Sequence, residues 1–365
     1  MPGLVPGIDA FLCRGNKDVD GRDKPGHDGE QTSIIKRFGV NWKFHFAITA
    51  AACAVLPFVV PGHSLTILVE ALIFGLFAMS LDLLVGYCRL YSFGHAAAYG
   101  LGAYSYALIL THVPLPLPAG ILLAVAVTTV IAVPIAWICT RSTGVSFAML
   151  TLAFAQLGYA MLFRFRDVTG GSDGLVGIPR LAGPFGLDWF QSKFGYYYLV
   201  LGCLLGSYLL CRAIVRSPFG AVLAGIRENE AKTIALGYNT RAYKIATVVL
   251  AYGFGGLAGA LYAAFAGFAS PELFFWLTSG RVLIMVVVGG AGTLIGPILG
   301  GVSFVFLEHH LSQLTDLWPL IFGTVFIIFV MFAPQGIWGI LTSRLSTRRD
   351  VPNSDGGKEA SGAAT

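Results

Sequence analysis

Charged residues are scarce in this sequence: only 12% of its 365 residues are Asp, Glu, Lys or Arg, whereas an ordinary soluble domain has about 25%. Hydrophobic residues make up 56%, and they fall in long blocks that a soluble core does not need. The sequence therefore predicts a protein that crosses a membrane several times. The net charge of +5 does not indicate a nucleic-acid partner, because the basic residues lie in the loops beside the blocks, as the positive-inside rule expects.

Several catalytic and metal-binding signatures are also missing. The sequence contains no GxxxxGK followed by Ser or Thr, so the chain is not its own P-loop ATPase, and it contains no HExxH. None of its six cysteines forms a CxxC pair, so we predict neither a metal site nor a disulfide framework. The cysteines are Cys13, Cys53, Cys88, Cys139, Cys203 and Cys211.

Acidic residues are rare within the early blocks, where only Glu70 and Asp82 occur. Twelve residues of helix separate their side chains by roughly 120° around the axis, so they do not form a catalytic pair and an intramembrane enzyme is disfavoured. We expect structural or interfacial roles for both. Asp82 in particular is predicted to contact water at the cytoplasmic end of its helix.

The two ends of the chain differ in composition from the blocks between them. Residues 1–36 are rich in Gly, Pro and Asp without periodicity, which predicts a disordered extension. A misplaced start codon is the alternative origin of this segment. Residues 343–365 are predicted to form a disordered cytoplasmic tail, and residues 37–342 then make up one membrane domain.

Nine apolar blocks in this domain are candidate membrane helices. They cover residues 44–61, 65–86, 93–111, 117–140, 145–163, 196–215, 245–269, 282–307 and 317–332. Basic residues before the first block place the N-terminus in the cytoplasm, so residues 164–195 lie in the periplasm and residues 216–244 in the cytoplasm. A basic C-terminal tail requires an even number of later crossings, which the glycine-rich block 282–307 supplies if it divides into two. We therefore predict an all-α polytopic membrane helix bundle of about 9–10 transmembrane segments, with ten preferred.

The most polar stretch between long blocks covers residues 217–244. Ser217 and Pro218 are typical of a helix start, and an apolar residue follows at positions 219, 222, 223 and 226, one face of an amphipathic helix. A polar turn and a second short helix from Ala231 to Leu236 come next, ended by Gly237. Such an element is suited to contact a partner in water. A solvated connecting loop is the alternative.

Four residues are candidates for lining a passage through the bundle. Ser92, Gly94 and His95 lie at the start of the third block, where free helix N–H groups could meet a carboxylate. Gln156 places an amide in an otherwise apolar helix. The alternatives are an N-cap for Ser92, a neutral packed histidine for His95 and an interhelical hydrogen bond for Gln156.

The chain from about residue 42 to residue 338 resembles the larger, M-type permease subunits of high-affinity branched-chain amino acid ABC transporters. The resemblance rests on motifs in the family's order, among them GYCRLYSFGHAAAYGLGAY, TGGSDGL, SPFGAVLAGIRENE, LGYNTRAYK, VVVGGAGTLIGPILGG and APQGIWGI. It implies a bacterial inner-membrane importer subunit for branched-chain amino acids. Relatives that carry urea, short amides or aromatic acids are the alternative, and a stand-alone secondary transporter is a further one.

The resemblance also implies partners and a coupling site. The partners are a second homologous permease subunit, two cytoplasmic ATPase subunits that bind the ATP, a periplasmic binding protein and the lipid bilayer, with no cofactor in this chain and no nucleic acid. Residues 230–237 resemble the EAA loop, which docks on the ATPase. Carried over to this sequence, the coupling candidates are Arg227, Glu228, Glu230, Ala231 and Gly237.

Several positions depart from the family pattern. Lys232 and Thr233 replace the small residues that are common in the EAA loop, and Arg281 stands where Glu is frequent. The segment Cys88-Arg89-Leu90 also differs from the usual small, Gly or Gln residues. Because Arg281 and the segment Cys88-Arg89-Leu90 lie near the expected passage, the family resemblance does not identify the substrate.

Overall fold

The computed structural model of the protein describes residues 53–57, 62–178, 188–315, 317–332 and 336–339, and most of these residues are helical. The helices longer than ten residues in the described part of the chain are α1 (Gly62–Cys88), α2 (Ala96–His112), α3 (Leu117–Cys139), α4 (Val145–Arg164), α5 (Lys193–Arg216), α6 (Pro218–Ala235), α7 (Thr240–Ala266), α8 (Trp276–Gly289), α9 (Ile295–Leu314) and α10 (Trp318–Phe332). The all-α fold is confirmed. The predicted extension 1–36, the tail 343–365 and most of block 44–61 lie outside the described residues.

Five of these helices are long and apolar enough to cross a membrane among the residues that the structure describes: α1, α3, α4, α5 and α7. They differ in how much of their surface the rest of the chain covers. In α1, 89% of the apolar span is buried, compared with 28% in α3 and in α4. Helix α1 is therefore a central helix, while α3 and α4 present apolar side chains outward, as lipid contact requires.

Glycines bring α2 and α7 unusually close together. A side chain at Gly102 would collide with the backbone of Gly256, and one at Gly259 would collide with the carbonyl of Tyr99. In lipid the hydrophobic effect does not drive helices together, so close backbone contact through small residues is a main source of packing energy. The glycines at this contact therefore allow the backbones of α2 and α7 to pack directly against each other.

The glycine-rich block 282–307 divides into α8 and α9, which are separated by residues 290–294. Pro297 is not the cause of the break, because it lies in the first turn of α9, where a missing backbone N–H costs no hydrogen bond. Gly300 packs directly against the backbone at Met285 and Gly289, so the two helices fold back on each other. The number of membrane crossings stays a prediction.

A small antiparallel pair of strands joins the segment predicted to be periplasmic to the end of α7. Strand β1 (Leu175–Val176) pairs with β2 (Phe268–Ala269), with Leu175 opposite Ala269. Residues 164–178 are thereby fixed to the same end of the bundle as the C-terminus of α7.

We expect Gly102→Ala to destabilise the protein, because overpacking a close helix contact costs about 1–3 kcal/mol. The matched control is Gly202→Ala on α5, where an added methyl would have no described atom within 4 Å. The measurement is the midpoint of thermal unfolding in detergent, followed by size-exclusion chromatography. Equal midpoints for the two variants would show that the α2–α7 contact is looser than described.

Candidate functional site

Helix α6 is two short helices joined by a bend at Asn229, whose backbone leaves the helical region (φ −157°, ψ 102°). Residues 218–228 are here called the first half and residues 230–235 the second half. The Asn229 side chain accepts a hydrogen bond from the backbone N–H of Lys232 at 3.0 Å, so it caps the second half. The sequence analysis predicted both halves but missed this cap. An Asn directly before a short helical segment is the signal that could have indicated it.

The predicted start of α6 is right in position but not in hydrogen bonding. Ser217 precedes Pro218 as expected, yet its hydroxyl donates to the carbonyl of Ile214 at 2.6 Å and caps no helix N–H. Ser217 is therefore the N-cap of α6 by position, and its carbonyl accepts the N–H of Ala221 at 3.2 Å, while its side chain bonds the end of α5.

The apolar face of the first half is covered by this chain itself. Val222, Leu223 and Ile226 are buried, with at most 8% of their surface exposed, in a helix that packs against α1, α5 and α7. The expectation that this amphipathic element contacts a partner in water is wrong for this face, because an amphipathic pattern does not identify what covers it. The first half is a fixed part of the bundle.

The second half and the turn after it carry the exposed apolar surface. Ile234, Leu236 and Tyr238 are 55%, 77% and 46% exposed, and Ala231 is exposed beside them. Gly237 ends the helix as predicted: its φ of +87° is one that glycine adopts without strain. We name Ile234, Leu236 and Tyr238 the exposed apolar tip.

Glu230 points back into the protein, toward the start of α7. Its carboxylate lies 2.5 Å from the Lys244 ammonium, whose side chain is only 4% exposed, and it accepts a hydrogen bond from the Thr240 hydroxyl at 3.1 Å. Thr233 is buried as well and donates to the Asn229 carbonyl. The unusual Thr233 is thus accommodated within the bend, while Lys232 and Glu228 are exposed.

Arg227 connects the end of the first half to α1. Its guanidinium donates to the Gly86 carbonyl at 3.0 Å, one of the carbonyls that the last turn of a helix leaves without an intrahelical partner. The same guanidinium lies beside Gly292, in the segment between α8 and α9. Arg227 therefore contacts two elements that are far apart in sequence.

Asp82 lies one turn before Gly86 and holds the break between α8 and α9. Its carboxylate accepts the backbone N–H of Gly292 at 2.6 Å and that of Leu294 at 3.1 Å. Leu294 has a φ of +60°, which is strained for a branched residue. The expected contact of Asp82 with water is wrong, since its side chain is fully buried. We call Asp82, Gly86, Arg227 and Gly292 the buried anchor.

The expected helix start near Ser92 occurs three residues later. Helix α2 begins at Ala96, and the Ala96 N–H already donates to the Ser279 hydroxyl at 2.8 Å. Ser92 is buried without acting as a cap. His95 is fully buried between α1 and α7, where its Nε2 lies 2.8 Å from the Ser80 hydroxyl.

Gly94 lies directly before α2 and packs against α4, the helix that carries Gln156. A side chain at Gly94 would collide with the Thr151 backbone in α4. The structure shows no hydrogen bond between Gln156 and the other three passage candidates in the described residues. Among the described residues, several buried polar atoms in or just before α2 and in α4 lack a hydrogen-bond partner: Ser92 Oγ, His95 Nδ1, Tyr99 OH, Tyr104 OH and Gln156 Nε2. Such atoms are rare in folded proteins and often mark a ligand or water position.

We expect Asp82→Asn to lower the free energy of unfolding by about 1.5–3 kcal/mol, the usual loss when a charged hydrogen-bond acceptor is replaced. An amide also presents a donor where Gly292 and Leu294 both need an acceptor. Asp167→Asn, at an exposed carboxylate, is the control and should unfold at the same denaturant concentration as the unmodified protein. An unchanged midpoint for Asp82→Asn would contradict the anchoring role.

Comparison with known proteins gives one consistent family. The model of the family described as "Branched-chain amino acid transport system / permease component" matches residues 64–333. The chain is 28% identical to the high-affinity branched-chain amino acid transport system permease protein LivM of Escherichia coli strain K12, over 82% of this chain and 75% of the relative. It is 28% identical to the protein of the same name from Salmonella typhimurium, over 77% and 71%.

A more distant relative is the probable branched-chain amino acid transport permease protein LivM of Methanocaldococcus jannaschii, at 24% identity over 39% of this chain and 46% of the relative. No solved structure matches the chain. Because the family model covers most of the chain, including the buried anchor and both halves of α6, the protein belongs to the family of branched-chain amino acid transport permease components.

Proposed function

We propose that this protein is a transmembrane subunit of an ABC importer that moves branched-chain amino acids across the bacterial inner membrane. ATP hydrolysis would take place in separate ATPase chains. The observation that carries the proposal is the structure of α6 in a chain of this family: an exposed apolar tip on one side of a bend and buried links to the central helices on the other. A helix that only connects two membrane spans needs neither.

The partners follow from this role. The chain would pair with a second, homologous permease subunit, bind two cytoplasmic ATPase subunits and receive substrate from a periplasmic binding protein. Exposed apolar residues in water favour burial against a partner, so the exposed apolar tip fits a groove on an ATPase. Glu228, Ala231 and Gly237 lie on the same exposed surface and would contact the ATPase as well.

Arg227 and Glu230 would act differently from the other coupling residues. Both are directed into the permease: Arg227 toward Gly86 and Glu230 toward Lys244. When ATP closes the ATPase dimer, the exposed tip would move with it and these two side chains would pass the displacement to α1 and α7. This assignment divides the predicted coupling residues into a docking group and a transmitting group.

Ser92, Gly94, His95 and Gln156 would lie along the substrate passage. Three of them carry buried polar atoms without a hydrogen-bond partner among the described residues, and a moving polar substrate could supply such a partner in passing. Gly94 lets the backbone of α4 approach closely, because a side chain there would collide with Thr151. The passage would therefore follow the contact between α2 and α4.

The function is tested by purifying this chain with its permease, ATPase and binding-protein partners and reconstituting them in lipid vesicles. We expect leucine uptake that requires ATP and an ATPase rate that the binding protein stimulates. Uptake that persists without the ATPase subunits would identify a secondary transporter instead. Uptake of urea or short amides but not leucine would overturn the substrate assignment.

We expect Leu236→Asp to weaken docking of the ATPase, because a charge would have to be buried in the interface. The readout is the amount of ATPase that co-purifies with the permease. Val176→Asp is the matched control: Val176 is 76% exposed, against 77% for Leu236, but lies on β1 in the segment predicted to be periplasmic. Equal retention of the ATPase by both variants would contradict the docking assignment.

We expect Glu230→Gln to keep the ATPase bound while reducing coupled uptake, because it leaves the buried Lys244 ammonium without its counter-ion. The measurement is leucine transported per ATP hydrolysed, and Glu272→Gln, at an exposed carboxylate outside α6, provides the comparison for charge removal without loss of a buried ion pair. If Glu230→Gln preserved the ratio, Glu230 would have no transmitting role.

A further inference from the structure

Two arginines from different parts of the chain contact one exposed tryptophan at the end of α3. Trp137 lies in the last turn of α3 and is 49% exposed. The guanidinium carbon of Arg141 lies 3.9 Å from the centroid of the Trp137 ring, and that of Arg241 lies 5.5 Å from it. Both distances are in the range of a cation–π contact. We call Trp137, Arg141 and Arg241 the arginine–tryptophan cluster.

A hydrogen bond fixes this cluster to the start of α7. The Nη2 of Arg241 donates to the Trp137 carbonyl at 3.1 Å, one of the carbonyls that the last turn of a helix leaves without an intrahelical partner. Arg241 lies in the first turn of α7, directly after Thr240, which donates to Glu230. The cluster therefore joins the end of α3 to the helix start that also holds Glu230.

The cluster carries two positive charges close together. Neither Arg141 nor Arg241 forms an ion pair with a carboxylate among the described residues. Their guanidinium carbons are at most 9.4 Å apart, the sum of the 3.9 and 5.5 Å that separate them from the same ring centroid. A guanidinium has five N–H donors in a planar fork that matches phosphate oxygens. The cluster is therefore suited to bind a phosphate group.

An apolar stripe on the outward face of α3 leads to the cluster. Val130, Val133 and Trp137 follow at intervals of three and four residues, so they share one face of the helix. The two valines are 69% and 48% exposed. Such a face of a membrane helix contacts acyl chains, and tryptophan is enriched where the acyl chains meet the head groups. A lipid whose acyl chain lies on the valines would thus have its phosphate at the arginines.

The cluster lies at the end of the bundle that is predicted to face the cytoplasm, because Arg241 belongs to the segment 216–244. Anionic lipids give the cytoplasmic surface of a membrane a negative potential that attracts basic residues. A zwitterionic lipid would bring an ammonium group close to the two guanidinium groups, which would repel it. The cluster therefore favours a lipid with a net negative charge.

From these observations we infer that the arginine–tryptophan cluster binds one anionic phospholipid, of the phosphatidylglycerol type, from the cytoplasmic leaflet. Arg141 and Arg241 bind the phosphate oxygens, and an acyl chain lies along the exposed valines of α3. Because Arg241 lies in the first turn of α7, the bound lipid stabilises the helix start to which Glu230 is linked. This inference goes beyond the proposed function, since it does not depend on the substrate that is transported.

The test measures how strongly brominated lipids quench the fluorescence of Trp137 in the full permease–ATPase complex in nanodiscs. Brominated phosphatidylglycerol and brominated phosphatidylcholine are compared, each diluted in unlabelled phosphatidylcholine. The chain has six tryptophans, so the Trp137 signal is taken as the difference from a matched Trp137→Phe complex. We expect phosphatidylglycerol to quench Trp137 at a lower fraction of the lipid than phosphatidylcholine does.

We expect Arg141→Gln and Arg241→Gln each to lower this preference about fivefold, the contribution of one basic residue at an anionic membrane surface. The double variant should show no preference, and Arg141→Lys should keep most of it because the charge remains. Arg164→Gln is the control, since Arg164 is an exposed arginine in the last turn of α4. It should keep the full preference.

A second measurement does not depend on fluorescence. A ligand that binds only the folded protein raises its unfolding temperature, so added phosphatidylglycerol should raise the unfolding midpoint of the unmodified complex in detergent. The double variant should gain no more from phosphatidylglycerol than from phosphatidylcholine.

Three results would overturn the lipid site. Equal quenching of Trp137 by the two lipids would show that the arginines do not select the head group. Quenching by neither lipid would show that a partner subunit covers the cluster. Displacement of phosphatidylglycerol by inorganic phosphate would show that the cluster binds a soluble anion. Each result leaves the proposed function standing, because that function is tested by uptake of leucine.

Discussion

The hydrogen bonds of the Asp82 carboxylate to the backbone of Gly292 and Leu294 are the interaction on which the arrangement of the bundle depends. A membrane helix that begins within the bundle, as α9 does, leaves backbone N–H groups near its start that lipid cannot satisfy. One buried carboxylate on α1 satisfies two of them. It thereby fixes the turn between α8 and α9, the strained backbone of Leu294 and the segment against which Arg227 rests.

Helix α1 runs from Asp82, which holds the turn between α8 and α9, to Glu70 near its other end. Glu70, Phe74, Phe77 and Ser80 follow at intervals of three or four residues, so they share one face of the helix, and they span about 15 Å along it. His95 stacks on Phe77 with ring centroids 5.2 Å apart. Glu70, the rings of Phe74 and Phe77 and the buried His95 therefore lie along one face of α1.

Sequence reasoning succeeded where the signal is local and failed where it depends on a distant partner. Hydropathy gave the helical blocks, and Pro218 and Gly237 correctly bounded α6, because helix starts and stops are determined by nearby residues. The burial of Asp82 could not be predicted, since its partner Gly292 is 210 residues away. The periodicity of Val222, Leu223 and Ile226 showed an apolar face, but a pattern does not tell whether the chain itself or another protein covers it.

The bend at Asn229 has a mechanical consequence. If α6 were one unbroken helix, a displacement of its exposed apolar tip would move the whole helix as a rigid body. Because the bend separates the halves, force applied at the tip divides between two linkages, one through Arg227 to α1 and one through Glu230 to α7. Under the proposed coupling, a single stroke of the ATPase therefore drives two central helices at once, and each linkage can be stiffened or loosened without altering the other.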